Sequence, residues 1–450
     1  MREYNTFDEY IEDTCAQVRC KKAHGDIRRE LAAHMDDQKQ ACMVAGMEEK
    51  EAKAEAIRQM GDPVIVGGQL DRTHRPKPNG KLVFAAILMV LAAALVQAFI
   101  IKSASYPLYL CIGIALCFAF YIFDYTLFSR YTWVFYALGI GMLLILFVWS
   151  FFGNAIMLNG RYYIPFVGNS ACLLFLPVYC GLLYNMKGKR YFGLLLSFGL
   201  MLPPVFFVLI IPHFTMALIL GVSCLVLLLA LAAKGWFNTS PAGSVLLILL
   251  PIALLVVLYI ISNPLILRRL MVIFTDKTGA GYLPSEFQVL LSGAQPLGES
   301  TAWATPPAFV NYPEFWSVEN MPDLQSADFA LLSVIVNHGI LWGVALCAVI
   351  GAFVGFLFYV ARKQKNYFAR LIAHGVALTF CIQGVIFVLA NTVLPATLTS
   401  YPMLFASGTT IVANMILLGI FLSACKWNGV ASEASLFHSR EGSKREKACA

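Results

Sequence analysis

Seven of the carboxylates in this 450-residue chain crowd into one stretch: Asp276, Glu286, Glu299, Glu314, Glu319, Asp323 and Asp328. Between Leu82 and Val430 only one other acid occurs, Asp124. A carboxylate can take a proton, hold a hard cation or cap a helix, so each of these carries more than one reading. Asp328 stands where a long apolar run begins. With Ser326 it could cap the following helix and meet its positive end, worth about 0.5–2 kcal/mol. It could equally act as a base at a membrane boundary, where an ionised aspartate costs less than the ~2.5–3.5 kcal/mol of the bilayer centre. Glu286, Glu319 and Asp323 could support such a site, and a solvated surface is their ordinary reading. His34 with Asp36 and Asp37 is a poor metal site, because on one helix His34 shares a face with Asp37 but not with Asp36.

The elements that position these residues follow from composition. The chain is 59% hydrophobic and 13% charged, about half the charged share of a soluble domain, which excludes an ordinary cytosolic enzyme. It also excludes a nucleic-acid-binding chain, despite a net charge of +7. Residues 1–81 hold 14 Lys/Arg and 15 Asp/Glu, so half of all charge lies in the first fifth of the chain. Apolar runs of about 20 residues follow, each long enough to cross roughly 30 Å of hydrocarbon as a helix. They predict ten spans near 82–101, 106–125, 131–152, 167–185, 192–211, 214–233, 244–262, 328–360, 367–389 and 403–424. The run at 328–360 is too long for a straight crossing and should tilt or project. Backbone groups in lipid must pair within each segment, so the predicted fold class is all-α: a polytopic membrane bundle of about ten helices behind a small helical N-terminal domain.

Orientation follows from the basic residues. With the N-terminus cytoplasmic, the inner side takes Arg130, Lys187, Lys189, Arg190, Lys234, Arg362, Lys363, Lys365, Arg370 and Lys426. The outer side keeps only Lys102, Arg161, Arg268, Arg269 and Lys277, as the positive-inside rule expects. Both termini are then cytoplasmic, and no leader is visible before the first apolar run. A domain at 1–70, a linker at 71–81, a membrane domain at 82–425 and a tail at 426–450 are expected. The outer loop, about 263–327, carries Trp303, Phe309, Phe315 and Trp316, too many aromatics for a disordered linker. None of the twelve cysteines falls in it, so no external disulfide framework is implied.

In the prefix, Ile27, Leu31 and Met35 form one apolar stripe and Ala52, Ala56, Ile57 and Met60 another, on either side of a turn at Gly46. Gly61-Asp62-Pro63 ends the second helix. The pattern from Ile27 to Asp36 followed by Glu51 to Pro63 resembles the "permease prefix" domain of Gram-positive bacteria. That resemblance implies a cytoplasmic interaction module with an unidentified partner.

Across the membrane half, short motifs resemble those of the FtsW/RodA/SpoVE (SEDS) family in the same order. They are Asn159-Gly160-Arg161-Tyr162-Tyr163-Ile164, the run from Leu202-Pro203 to Pro212-His213-Phe214-Thr215-Met216-Ala217-Leu218, and Arg268-Arg269-Leu270 with Gly281-Tyr282, Glu286, Ser292-Gly293 and Gly298. The most specific is Met321-Pro322-Asp323-Leu324-Gln325-Ser326-Ala327-Asp328-Phe329 with Gly339, and Pro395, Thr397, Pro402 and Ser407-Gly408 close the series. Four departures mark a divergent member. Gly168-Asn169-Ser170 stands for a Pro-Ser-Glu motif, His213 for an aspartate, Val336-Asn337 for a Glu-Glu pair, and Ser407-Gly408 for a longer Gly-Gly-Ser-Ser end.

The resemblance implies peptidoglycan polymerisation from lipid II at the outer membrane face. Asp328 would be the general base, and Arg161, Tyr162, Arg268, Arg269 and Glu286 would bind substrate. The arginines would hold the pyrophosphate through their planar forks, the bland alternative being arginines snorkelling to headgroups. A divalent cation, Mg or Mn, fits a diphosphate site, although no metal ligands can be named. A class B penicillin-binding protein is the implied partner. His213 and His338 are expected to be buried and hydrogen-bonded. Two rivals remain: a non-catalytic scaffold or sensor of cell-wall assembly, division or sporulation, and a precursor transporter. Transporters place ionisable groups mid-membrane, and the acids here crowd one exterior loop instead.

Overall fold

In the computed structural model the described residues are all except 1–3, 5, 22, 76–78, 99–105, 153–156, 159–160, 163–171, 211–213, 263–281, 305–326, 393–407 and 428–450. They divide into two compact units. One comprises Met1–Asn79, Gln364–Arg370 and Ala424–Ala450; the other comprises Gly80–Lys363 and Leu371–Ser423.

The first unit is built on four helices: α1 (Phe7–Ala16), α2 (His24–Val44), α3 (Glu49–Met60) and α4 (Pro63–His74). Thr6 opens α1 by accepting the Glu9 N–H at 3.3 Å, one of the donors a helix start leaves unpaired. The stripe Ile27, Leu31 and Met35 is buried together with Tyr10, Ile11, Cys15, Val18 and Ile57 in one core. The Tyr10 hydroxyl ties the end of α3 to α1, donating to the carbonyls of Met60 (3.4 Å) and Gly61 (3.2 Å). Burial pushes the Cys15 thiol up, so it stays protonated and unreactive. Trp427 packs against the same core from the other end of the chain. Gly61-Asp62-Pro63 ends α3 and also starts α4, which runs past residue 70 to His74. Asp62 caps the Val64 N–H at 2.8 Å, and Pro63 takes the first helical position, where its missing N–H costs nothing.

The second unit is an apolar helical bundle: α5 (Gly80–Val96), α6 (Tyr106–Ile122), the short α7 (Leu127–Arg130), α8 (Thr132–Phe152), α9 (Phe175–Asn185), α10 (Arg190–Ile210), α11 (Phe214–Ala233) and α12 (Pro241–Ser262) come first. After them stand α13 (Tyr282–Ser292), α14 (Ala330–His338), α15 (Ile340–Arg362), α16 (Tyr367–Thr392) and α17 (Thr409–Lys426). Among the described residues five helices are long and apolar enough to cross a membrane: α10, α11, α15, α16 and α17. Shorter apolar helices account for the other five expected spans. The protein is a multi-pass membrane protein. One detail departs from an all-helical reading: Met157–Leu158 and Arg161–Tyr162 pair as two-residue antiparallel strands.

The expected single span at 328–360 is broken. Gly339 separates α14 from α15 with φ +107°, a conformation that side-chain-bearing residues rarely adopt. In a straight helix Leu331 and Gly343 would lie about 18 Å apart. Here a Cβ on Gly343 would touch the Leu331 side chain at 3.6 Å and collide with Ile335, so α14 folds back along α15. Val334 and Val336 are buried with Ala330–Ser333, and α14 exposes little of any face. The break replaces the tilt or projection expected for an overlong helix.

The last two helices are joined by polar side chains buried in an apolar setting. Gln383 of α16 and Asn414 of α17 are both fully buried, and their amides exchange two hydrogen bonds of 3.0 and 3.1 Å. Replacing one partner leaves the other amide unpaired, at a cost of about 1–3 kcal/mol. Gln383→Leu and Asn414→Leu should therefore each lower the melting temperature of the purified protein. The double variant should lose less than the sum of the two, since the amides depend on each other. Additive losses in that cycle would contradict the pairing.

Candidate functional site

The carboxylate singled out by the sequence lies at the start of α14, in a single 3-10 turn, Ala327–Phe329. Phe329, not Asp328, occupies the N-cap position of α14. Asp328 is half-buried and stands at the N-terminal end of that helix.

Asn391 fixes this turn. It lies in the last turn of α16 and is fully buried. Its Nδ2 donates to the Asp328 carbonyl at 3.0 Å and to the Phe387 carbonyl at 2.8 Å, while its Oδ1 accepts the Leu332 N–H at 3.0 Å. The orientation of the amide follows from these partners, since only Nδ2 can serve two carbonyls. One side chain thus satisfies groups on both sides of the start of α14. Contacts between α15 and α16 run antiparallel: Ile350 meets Gly384, and Phe353 lies 6.3 Å from Phe380 between ring centroids. Continued along the helices, this register sets Asn391 beside Gly343, so the Asp328 turn lies about one helical turn in from the start of α15.

A strap from residues 295–300 closes the other end of α14. A helix break leaves the last carbonyls of one helix and the first N–H groups of the next without partners. Here the His338 and Val336 carbonyls accept Gly298 N (3.0 Å) and Ser300 N (2.7 Å), and Ile340 N and Leu341 N donate to the carbonyls of Gln295 (2.9 Å) and Pro296 (3.2 Å). The strap follows α13, which packs on α14 through Phe287, Leu290, Phe329, Leu332 and Val336. Phe287 and Phe329 meet edge-to-face at 4.9 Å between centroids. Glu286 and Asp328 each precede one member of that pair in sequence. Glu286 is 7% exposed, so it is no solvated surface carboxylate.

Two of the site residues expected from sequence, Asp328 and Glu286, lie on adjoining elements, each next in sequence to one ring of the Phe287–Phe329 contact. Arg161 and Tyr162 are described through their backbone, paired with Leu158 and Met157 respectively. Arg268, Arg269, Glu319, Asp323 and His213 lie outside the described residues. His338 is exposed, against the expectation of a buried histidine, because the turn into Gly339 directs it off the packed face of α14. Val336 fills the α13–α14 core, and the Asn337 amide donates to Ser333 Oγ at 3.2 Å. Among the described residues, no three His, Cys, Asp or Glu gather in a group able to hold a metal ion. Sequence reasoning missed Asn391, an amide two residues beyond the expected span 367–389.

Residues 317–428 match the family model for FtsW/RodA/SpoVE cell cycle proteins, a range that holds Asp328, Gly339 and Asn391. The family resemblance read from the motifs is borne out there. No curated protein matches the chain. Among solved structures, the fold is similar to one described as "Structural coordination of polymerization and crosslinking by a peptidoglycan synthase complex". That similarity has a TM-score of 0.57 and 19% identity, over 77% of this chain and 97% of the other. Rod shape determining protein RodA of Thermus thermophilus matches with a TM-score of 0.49 and 15% identity, over 78% of this chain and 97% of RodA. An aspartate-to-alanine mutant of it matches with the same TM-score and 16% identity.

Proposed function

We propose that this chain, with its FtsW/RodA/SpoVE match over residues 317–428, is a peptidoglycan glycosyltransferase of the bacterial cell membrane that polymerises lipid II. The observation that carries the reading is the Asp328 turn, clamped by Asn391 inside the matched range. The match to that family's model over residues 317–428 and a fold similar to one described with a peptidoglycan synthase complex support a role in cell-wall synthesis. Both termini are cytoplasmic in this reading, and the Asp328 end of the bundle is the outer one.

Glycosyl transfer needs a base at the attacking hydroxyl and cationic support for the departing pyrophosphate. Asp328 takes the hydroxyl proton while the oxygen bonds to the anomeric carbon of the donor sugar. The bond from that carbon to the pyrophosphate breaks, and the lipid-linked pyrophosphate leaves with the bonding electrons. Arg161, Arg268 and Arg269 are the guanidinium groups that hold it, with Tyr162 beside the first of them. The lipid tail stays in hydrocarbon, which suits a base about one helical turn below the bundle end. A divalent cation, Mg or Mn, would offset phosphate charge in this reading. The complex named for the similar structure supports a class B penicillin-binding protein as partner, and the prefix would engage a cytoplasmic partner.

Purified protein given lipid II, with and without Mg or Mn and a class B penicillin-binding protein, should yield glycan strands on a gel. A non-catalytic scaffold is the second reading. It is favoured by Val336 and Asn337, which put a core valine and an internally bonded amide where relatives are expected to carry two acids. It predicts no polymer under any of these conditions.

A further inference from the structure

Helix α4 keeps an outward face that the core of its unit does not use. Its inward face carries Gly67, where a Cβ would stand 2.6 Å from the Thr14 carbonyl oxygen, and Leu70, which packs on the unit's core. The outward face begins with two large aliphatic side chains, Val64 (58% exposed) and Ile65 (62% exposed). At helical spacing it continues to Arg72 and Arg75, both exposed. Neither arginine has an ion-pair partner among the described residues. The acids nearby are turned elsewhere: Asp71 accepts the Arg19 N–H at 2.9 Å and lies 3.9 Å from its guanidinium, and Asp62 is spent on the Val64 N–H. The face therefore presents apolar surface beside two arginines, while the carboxylates that border it are engaged elsewhere.

In sequence, the C-terminal end of this helix stands close to the first apolar helix. The membrane unit starts at Gly80, five residues after Arg75, and five residues reach at most about 18 Å. Lys77 and Lys81 add two more cations to the same short stretch of sequence. Aliphatic side chains beside a cluster of Lys and Arg next to a membrane span are the chemistry of an interfacial helix on anionic lipid.

We infer that α4 is a lipid-contacting helix: Val64 and Ile65 enter the headgroup boundary on the prefix side of the membrane, and Arg72 and Arg75 bind anionic phospholipid. The α4 face is independent of the reaction proposed for Asp328.

The test uses the full-length protein in nanodiscs, with p-benzoylphenylalanine placed in turn at Val64 and Ile65. After irradiation, adducts are identified by mass spectrometry. In phosphatidylcholine containing about one-third phosphatidylglycerol, both positions should give phospholipid adducts. These should fall severalfold in pure phosphatidylcholine, and about fivefold for each of Arg72→Glu and Arg75→Glu. All four positions are exposed, so the variants keep the core intact. Adducts to protein alone, or lipid adducts indifferent to anionic lipid and to both arginines, would overturn the inference. Membranes photolysed in cells supply the matching control: capture of a protein in place of lipid there would equally overturn it.

Discussion

Gly339→Ala should lower the melting temperature of the purified protein by about 5–10 °C, following a loss of about 3 kcal/mol or more. Two costs combine. A φ of +107° suits glycine, and holding a side-chain-bearing residue there costs roughly 1–3 kcal/mol. The new Cβ would also stand 2.7 Å from both Leu297 Cα and the Pro296 carbonyl oxygen. Those atoms are main chain, held by the four hydrogen bonds between the strap and the helix break, so they cannot yield as a flexible side chain would. Relieving the clash means opening the strap, which exposes buried N–H and C=O groups at about 1–3 kcal/mol each. Thermal unfolding in detergent measures this directly. A melting temperature within about 1 °C of wild type would show that the strap does not hold the break.

Asp328→Asn should cut polymerisation by at least about a hundredfold while leaving the folded yield unchanged. An amide has nearly the size of the carboxylate but cannot accept the hydroxyl proton, and general-base catalysis contributes about 10²–10⁴-fold. Folding should survive because the clamp bond from Asn391 reaches the backbone carbonyl of residue 328, which asparagine retains. Asp328→Glu separates charge from position. It keeps the base but moves it by one methylene, and misplacement of about 1 Å can cost a hundredfold in rate. A retained trace of activity in the glutamate variant, above that of the asparagine variant, is the expected order.

The membrane helices were legible because hydropathy alone selects runs of apolar residues, and the ten expected spans each correspond to apolar helix. The break at Gly339 was not. Glycine is common in membrane helices, so even behind Asn337-His338 it did not mark a break in a long, mostly apolar run. Only the positive φ and the strap from 295–300 give it away, and the strap is bonded through main-chain groups that side-chain patterns do not encode. Helix α4 was hidden for a related reason. Gly61-Asp62-Pro63 reads as a stop, and with Val64 and Ile65 exposed the helix lacks the inward apolar period that would have announced it. Asp328 was legible from the scarcity of acids around it. Its partner Asn391 was not, because 63 residues separate them and no local pattern links the two. Glu286 was expected among solvated carboxylates and is instead buried beside the aromatic contact that joins α13 to α14.

In the proposed reaction the Asp328 carboxylate, presented by a turn that Asn391 clamps, is the base of a lipid II polymerase. The most direct measurement compares wild-type and Asp328→Asn protein, matched for folded amount by size exclusion. Each is incubated with labelled lipid II, Mg or Mn and a class B penicillin-binding protein, and the products are resolved on a gel. Wild type should give a ladder of glycan strands, and the variant should leave lipid II unreacted. Equal ladders from both proteins would contradict that role for Asp328.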